Sequence, residues 1–328
     1  MNGREVLSYA NKNLKSNIED LDLWDYFHLY RMAWAAEGEH QMTGRFVVVL
    51  ALASLGAEIL QGQSIAVPET VIVHSEDLKL TGLVWRPAGT GRCPAVIFSH
   101  GNYAGTSVPG TVDAILGPVT SASLLGRMFA EKGYVFFCLF RRGTGLSKGQ
   151  GESSQDLLLR TMKEETPDVR NRMQVRLLET EQLQDMISGV RCLKSLPEVD
   201  TNRICVLGHS FGGSLSLILA EHDSSLKAVI GFGAAAYSWD ISPPLRARLA
   251  ECVIRIHAPI LLIHARNDYS TAPADSLSAL MDRTGQKHST IIYPPFGNSR
   301  DAGHNFVFLG IPVWERDVVK FLAAALRR

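Results

Sequence analysis

RICVLGHSFGGSLSLILA, residues 203–220, decides how this chain folds. A short apolar run ends at Gly208, and a second apolar run starts at Phe211. Between them stand His209 and Ser210, with Gly212 and Gly213 just beyond. The first run is β-branched and short, which reads as a covered strand; the second is long enough for a buried helix. Gly208-His209-Ser210-Phe211-Gly212 is therefore a G-x-S-x-G pattern in the strand–turn–helix setting that the motif requires. Such a turn is too sharp for side chains two residues either side of the serine, hence the glycines. It lifts the hydroxyl above the sheet and aims the first N–H groups of the helix at the same point. The plainer reading is a serine that only caps a helix; the strand and helix on either side argue against it.

Outward from this turn, strands and helices alternate. Strands are expected at 70–74 and 79–86 (a hairpin), 94–99, 134–140, 203–207, 226–232, 259–265 and 289–293. Helices are expected at 121–132, 174–196, 211–221, 273–283 and 312–326. Gly133 ends the first helix and Pro197 stops the long one. This succession predicts an α/β fold with a mostly parallel sheet and helices on both faces. No long insertion follows the strand at 226–232, so no large lid domain is expected. Residues 152–175 are the one candidate for a small cover.

A serine hydroxyl needs a base, and the base needs an orienting acid. In this architecture the acid and then the base follow the serine along the chain. Asp268 stands just past the strand PILLIHA, and His304 sits in the loop FGNSRDAGHNF after the next strand. Both fall at the carboxyl edge of the sheet, where sites of open α/β folds lie. Asp240 is the rival acid. Asp301 reads as a turn former, His288 points away, and His209 packs against the top of the sheet. Oxyanion donors are expected from the Phe211 N–H and from the loop Ser99-His100-Gly101-Asn102-Tyr103, with the Asn102 N–H first and Tyr103 as alternate. One such donor is worth roughly 3–4 kcal/mol in the transition state.

Together SHGN (99–102), RRGTG (141–145), GHSFGG (208–213), ARNDYSTAP (265–273) and AGHNF (302–306) resemble the α/β-hydrolase superfamily. The closest likeness is to its dienelactone hydrolase-like and acyl-peptidase-like branches. The resemblance implies an α/β-hydrolase fold over residues 67–328 and a carboxylic ester hydrolase with the triad Ser210, Asp268 and His304. The enzymes that name the branch use a cysteine nucleophile, so Ser210 favours a general ester over dienelactone. The resemblance also places a carboxylate-reading residue at Arg141 or Arg142; a structural ion pair is the alternative. A serine peptidase using the same triad and a non-catalytic binding protein are the competing functions.

The chain has 328 residues, 46% hydrophobic and 20% charged, with 33 basic and 33 acidic side chains. That balance gives no nucleic-acid footprint. Five cysteines form no CxxC pair, and no histidine cluster has zinc spacing, so no metal or cofactor is implied. Cys138 and Cys205 read as buried thiols. Gly143-Thr144-Gly145-Leu146-Ser147-Lys148 lacks the third glycine of a dinucleotide loop. The expected partner is a small-molecule ester; nothing specifies an oligomeric state.

Residues 1–66 read as an N-terminal extension. Within it, 42–66 (MTGRFVVVLALASLGAEILQGQSIA) resembles a signal peptide: Arg45, a twelve-residue apolar run, then Ser64-Ile65-Ala66. The run is too short for a stable membrane span, which takes about 20 residues. Translation from Met42 is the expectation, supported by the purine-rich codons that Glu37-Gly38-Glu39 require just upstream. It would make the enzyme periplasmic or secreted. The alternative is a genuine helical segment on a cytoplasmic protein.

Overall fold

In the computed structural model the described residues are 67–102 and 112–327, with the side chains of 112–115 left aside. The signal-peptide reading of 42–66 and the alternate donor Tyr103 lie outside them. Eight strands form one sheet: β1 (Glu69–Ser75), β2 (Leu78–Trp85), β3 (Cys93–Ser99), β4 (Val135–Leu139), β5 (Val199–His209), β6 (Val229–Phe232), β7 (Ile260–Ala265) and β8 (His288–Tyr293). Their order is β1-β2-β4-β3-β5-β6-β7-β8. β1 pairs antiparallel with β2, and β2 antiparallel with β4; every later pairing is parallel. Strands buried on both faces read as unbroken apolar runs. That is the case for Val135–Leu139 and for Ile260–Ala265, buried at every position.

The helices are α1 (Val112–Glu131), α2 (Ser154–Glu164), α3 (Pro167–Glu179), α4 (Glu181–Ser195), α5 (Phe211–His222), α6 (Pro243–Val253), α7 (Ala272–Thr284), α8 (Arg300–His304), α9 (Phe306–Leu309) and α10 (Ile311–Ala325). The single long helix expected at 174–196 is two. The chain breaks at Thr180, whose backbone (φ −121°, ψ −107°) leaves the helical region. The Thr180 hydroxyl donates to the Arg176 carbonyl at 2.7 Å and so closes the last turn of α3. No glycine or proline marks the break, and the apolar spacing runs on across it. Helix α3 also starts earlier than its periodicity suggests, because Thr166 caps it and Pro167 occupies its first turn.

Helices α2 and α3 come from the segment singled out as a small cover. Ser153 caps α2 by accepting from the Asp156 N–H at 3.1 Å. Leu158 is buried while Met162 is exposed, so α2 lays one face on the body and leaves part of it open. Cys138 and Cys205 are buried, and burial pushes both thiols well above their ordinary pKa. Among the described residues no helix is long and apolar enough to cross a membrane.

Candidate active site

The turn after β5 is as tight as its glycines require. A Cβ on Gly208 would lie 2.1 Å from the Gly212 carbonyl oxygen, and one on Gly212 would lie 2.0 Å from that of Ser99. Ser210 itself takes φ 56° and ψ −119°, one of three non-glycine residues with positive φ among the described residues. Such a conformation costs of order 1–3 kcal/mol and persists only where the surroundings impose it. Here the Ser210 N–H donates to the Phe232 carbonyl at 2.8 Å, tying the turn to β6. Phe211 opens α5, so its N–H belongs to the unpaired first turn of a helix.

Three side chains meet above this turn: Ser210 after β5, Asp268 after β7 and His304 at the end of α8. His304 Nε2 lies 2.9 Å from Ser210 Oγ, and His304 Nδ1 lies 2.7 Å from Asp268 Oδ1. The carboxylate fixes the tautomer: Nδ1–H donates to Asp268, and Nε2 is left to accept from the serine hydroxyl. Burial alone would raise the Asp268 pKa, but the adjacent His304 and the bonds from His264 and His304 outweigh it. They hold the carboxyl well below its usual range. The rival Asp240 is exposed. His288 faces Asp282 at 3.7 Å, away from the site, and Asp301 sits in the first turn of α8 and lines the cleft.

His209 sits under the base. Its Nε2 is 2.9 Å from the His304 carbonyl oxygen, and its ring packs edge-on to Phe308. Burial first, and then the neighbouring His304, lower its pKa to about 3, so the ring is neutral and Nε2–H donates.

The loop after β3 closes the site from the other side. A Cβ on Gly101 would come within 3.3 Å of Ser210 Cβ, which puts the backbone beside Asn102 against the serine. Asn102 lines the cleft, and its Oδ1 accepts from Ser154 Oγ of α2 at 2.6 Å. His100 holds the loop inward: its Nε2 accepts from the Arg141 N–H at 3.1 Å while Nδ1–H donates to the Gly101 carbonyl at 2.7 Å.

The two arginines after β4 do not line the cleft. Arg141 is fully buried and donates to Ser99 Oγ (3.1 Å), the His100 carbonyl (2.8 Å) and Gln182 Oε1 (2.9 Å). Its guanidinium also lies 5.7 Å from the centre of the Phe211 ring. Arg142 grips the buried Asp185 with Nε and Nη2 at 3.0 and 2.7 Å, and Glu76 at 3.0 Å. Substrate reading at Arg141 or Arg142 is therefore corrected: both guanidiniums are spent inside the frame, one bracing the loop and one in an ion pair.

The cleft holds about 310 Å³. One wall is Ser210, Phe211, Ser214 and His304; the facing wall is Leu158, Leu159 and Met162 of α2 with Arg170 and Gln174 of α3. Tyr237 and Tyr269 meet edge to face at 5.2 Å between them. Arg170 was not singled out in the sequence. It donates to the amide oxygens of Gln174 (2.7 Å) and Asn171 (3.2 Å), whose amide nitrogens are in turn tied to Ser238 Oγ and the Ile241 carbonyl. No carboxylate among the described residues pairs with it, and burial pulls its pKa down. The Ser214 hydroxyl in the same cleft is buried with no hydrogen-bond partner among the described residues. Nothing but its place in the cover segment could have flagged Arg170. No group of three or more His, Cys, Asp or Glu among the described residues is arranged to hold a metal.

Residues 107–308 match the model of the dienelactone hydrolase family. This chain belongs to that family. Among proteins of known sequence, this family member is similar to the "Quorum-quenching protein AidA" of Acinetobacter baumannii, 26% identical over 165 residues, covering 50% of this chain and 42% of that protein. The chain thus spans less than half the length of this curated relative. Among solved structures it is similar to Pyrococcus horikoshii acylaminoacyl peptidase, with a TM-score of 0.53 at 19% identity over 80% of this chain and 43% of that one. A putative dienelactone hydrolase from Klebsiella pneumoniae gives a TM-score of 0.53 at 15% identity, over 80% of this chain and 99% of that one. The fold is that of the α/β-hydrolases, with no large lid among the described residues.

Proposed function

We propose that this member of the dienelactone hydrolase family is a serine hydrolase that cleaves carboxylic esters through an acyl-enzyme. The observation that carries the reading is the series Asp268–His304–Ser210, at 2.7 and 2.9 Å, on a strained turn that opens a helix. In the first half, His304 Nε2 takes the Ser210 proton as Oγ attacks the carbonyl carbon. The oxyanion is met by the N–H groups of Phe211 and Asn102, and Asp268 steadies the imidazolium. His304 then gives the proton to the leaving alcohol as the C–O bond breaks. In the second half, water enters, His304 takes its proton, and hydroxide attack releases the acid and restores the Ser210 hydroxyl.

The cleft argues for a small ester with an apolar arm along Leu158, Leu159 and Met162. Arg170, a cation without a counter-ion among the described residues, is available to an oxyanion or carbonyl on that arm, where Arg141 and Arg142 are not. A panel of p-nitrophenyl esters of increasing chain length, with neutral and carboxylate-ended acyl groups, tests the reading against aminoacyl amides. Turnover of esters alone supports it. Preferential cleavage of aminoacyl amides makes the protein a peptidase on the same triad, and no turnover of either makes it a binding protein.

A further inference from the structure

Ile260, Leu262 and His264 share one face of β7. The first two are core residues, and His264 ends the row with its side chain fully buried. A buried polar ring must find a partner. His264 Nδ1 lies 3.0 Å from Asp268 Oδ2, and Asp268 is itself almost wholly enclosed. The other carboxylate oxygen is already used twice: Oδ1 accepts from His304 Nδ1 and from the Tyr269 N–H, each at 2.7 Å. The two histidines thus divide the carboxylate, one to each oxygen.

The second nitrogen of His264 settles where its proton is. Nε2 is buried and has no hydrogen-bond partner among the described residues. A proton there would strand a buried donor and turn the Nδ1 lone pair toward the carboxylate. A doubly protonated ring would strand the same donor with a charge on it. The neutral ring with its proton on Nδ1 leaves only an unpaired lone pair, the least costly of the three.

We infer that His264 is a positioning residue for the hydrolase reaction: its Nδ1–H holds Asp268 by Oδ2, so that Oδ1 stays aimed at His304 while His304 takes the proton of Ser210. This rests on the reading of Ser210, His304 and Asp268 given above. The titratable groups that meet the pair are His304 from α8, Tyr269 beside Asp268, and His209 from the end of β5, which faces His304. With the donor gone, Oδ2 would be a buried, unpaired carboxylate oxygen. The carboxylate could then swing off its line to Nδ1, and its undiminished charge would make His304 keep its proton to higher pH.

The test uses the full chain and a fluorophosphonate, which reports the nucleophilicity of Ser210 without any knowledge of the natural ester. His264→Leu and His264→Asn have nearly the same shape, but only the asparagine offers an N–H near the place of Nδ1. His264→Leu should react about 10–100-fold more slowly, as loss of a hydrogen bond to a charged group implies. The acid limb of its rate–pH profile should move to higher pH. His264→Asn should recover most of the rate and the wild-type limb. Equal rates and equal limbs in the two variants, both folded by thermal melting, would overturn the proposal. Should neither variant fold, nitrogen-15 NMR of the wild-type histidines decides: a proton on Nδ1 of His264 supports it, and one on Nε2 overturns it. A wild-type protein that the probe does not label at Ser210 would remove the Ser210 reading and this proposal together, and would look different from either failure of His264 alone.

Discussion

The two walls of the cleft are built on opposite terms. On the sheet side, Ser210 and Asp268 follow β5 and β7 and His304 ends α8, all half-buried or buried, and each side chain has a partner from a different segment. On the cover side, α2 and α3 present Met162 and Arg170 to the cleft, bury Leu158, Leu177 and Leu178 in the core and add a few polar bonds to the body. Asn102 to Ser154, Gln174 to Ser238 and Asn171 to the Ile241 carbonyl are such ties. The sheet side carries strain at Ser210. On the reading proposed above, reaction type belongs to this wall and substrate preference to the cover, as expected when function is grafted on a shared fold.

The largest expected effects lie on the sheet side. Ser210→Ala should lower kcat for a p-nitrophenyl ester by up to about 10⁶-fold without loss of folding. Asp268→Asn should cost about 10⁴-fold, because the imidazole loses the partner that sets its tautomer. Steady-state kinetics on purified variants checks both, and an Asp240→Asn variant with the larger loss would mean the wrong acid. Next comes the frame. Arg142→Ala leaves the buried Asp185 without its cation, held only by the Ser75 hydroxyl and the backbone N–H of residue 142, and should cost about 3 kcal/mol of stability in urea unfolding with no selective effect on charged substrates. A KM change confined to carboxylate-bearing esters would return Arg142 to the substrate.

On the cover side the effect is smaller and selective. Arg170→Gln should raise KM about tenfold for an ester whose acyl arm ends in a carboxylate, and hardly at all for its neutral methyl counterpart. Equal changes for both would make the cover an inert wall. A further effect, on stability rather than on catalysis, is in pH dependence. His209 is buried and neutral, with its pKa lowered to about 3 against an ordinary 6.5. The unfolded chain then binds the proton first, so stability is full above about pH 6.5 and drains away as pH falls toward 3. Between pH 6.5 and 5 this amounts to about 2 kcal/mol. His209→Gln, which keeps a donor for the His304 carbonyl, should flatten the fall of Tm from pH 7 to pH 5; an unchanged slope would place the buried charge elsewhere.

The same division explains what could be read in advance. Ser210, Asp268 and His304 were legible because a sharp turn needs glycine and because chain order on this fold restricts acid and base to strand ends. The strands were legible because burial on both faces leaves only apolar residues. The break at Thr180 was not, since a threonine bonding to its own helix leaves no glycine or proline behind. The roles of Arg141 and Arg142 were not either: an arginine that braces a loop and one that meets a substrate have the same neighbours in sequence. Arg170 and His264 have hydrogen-bond partners within four residues, but their burial, and the distant residues Ser238, Ile241 and His304 that anchor those partners, leave no mark in local spacing.

The proposed reaction turns on Ser210 Oγ carrying the acyl group. Rapid mixing of the protein with a p-nitrophenyl ester, acid quenching within the first turnover and peptide mass spectrometry measures this directly. The expected result is a burst of p-nitrophenol stoichiometric with protein and one acyl adduct on the peptide that contains Ser210, absent from Ser210→Ala. Turnover without a burst or adduct, or an adduct on any other residue, would contradict it.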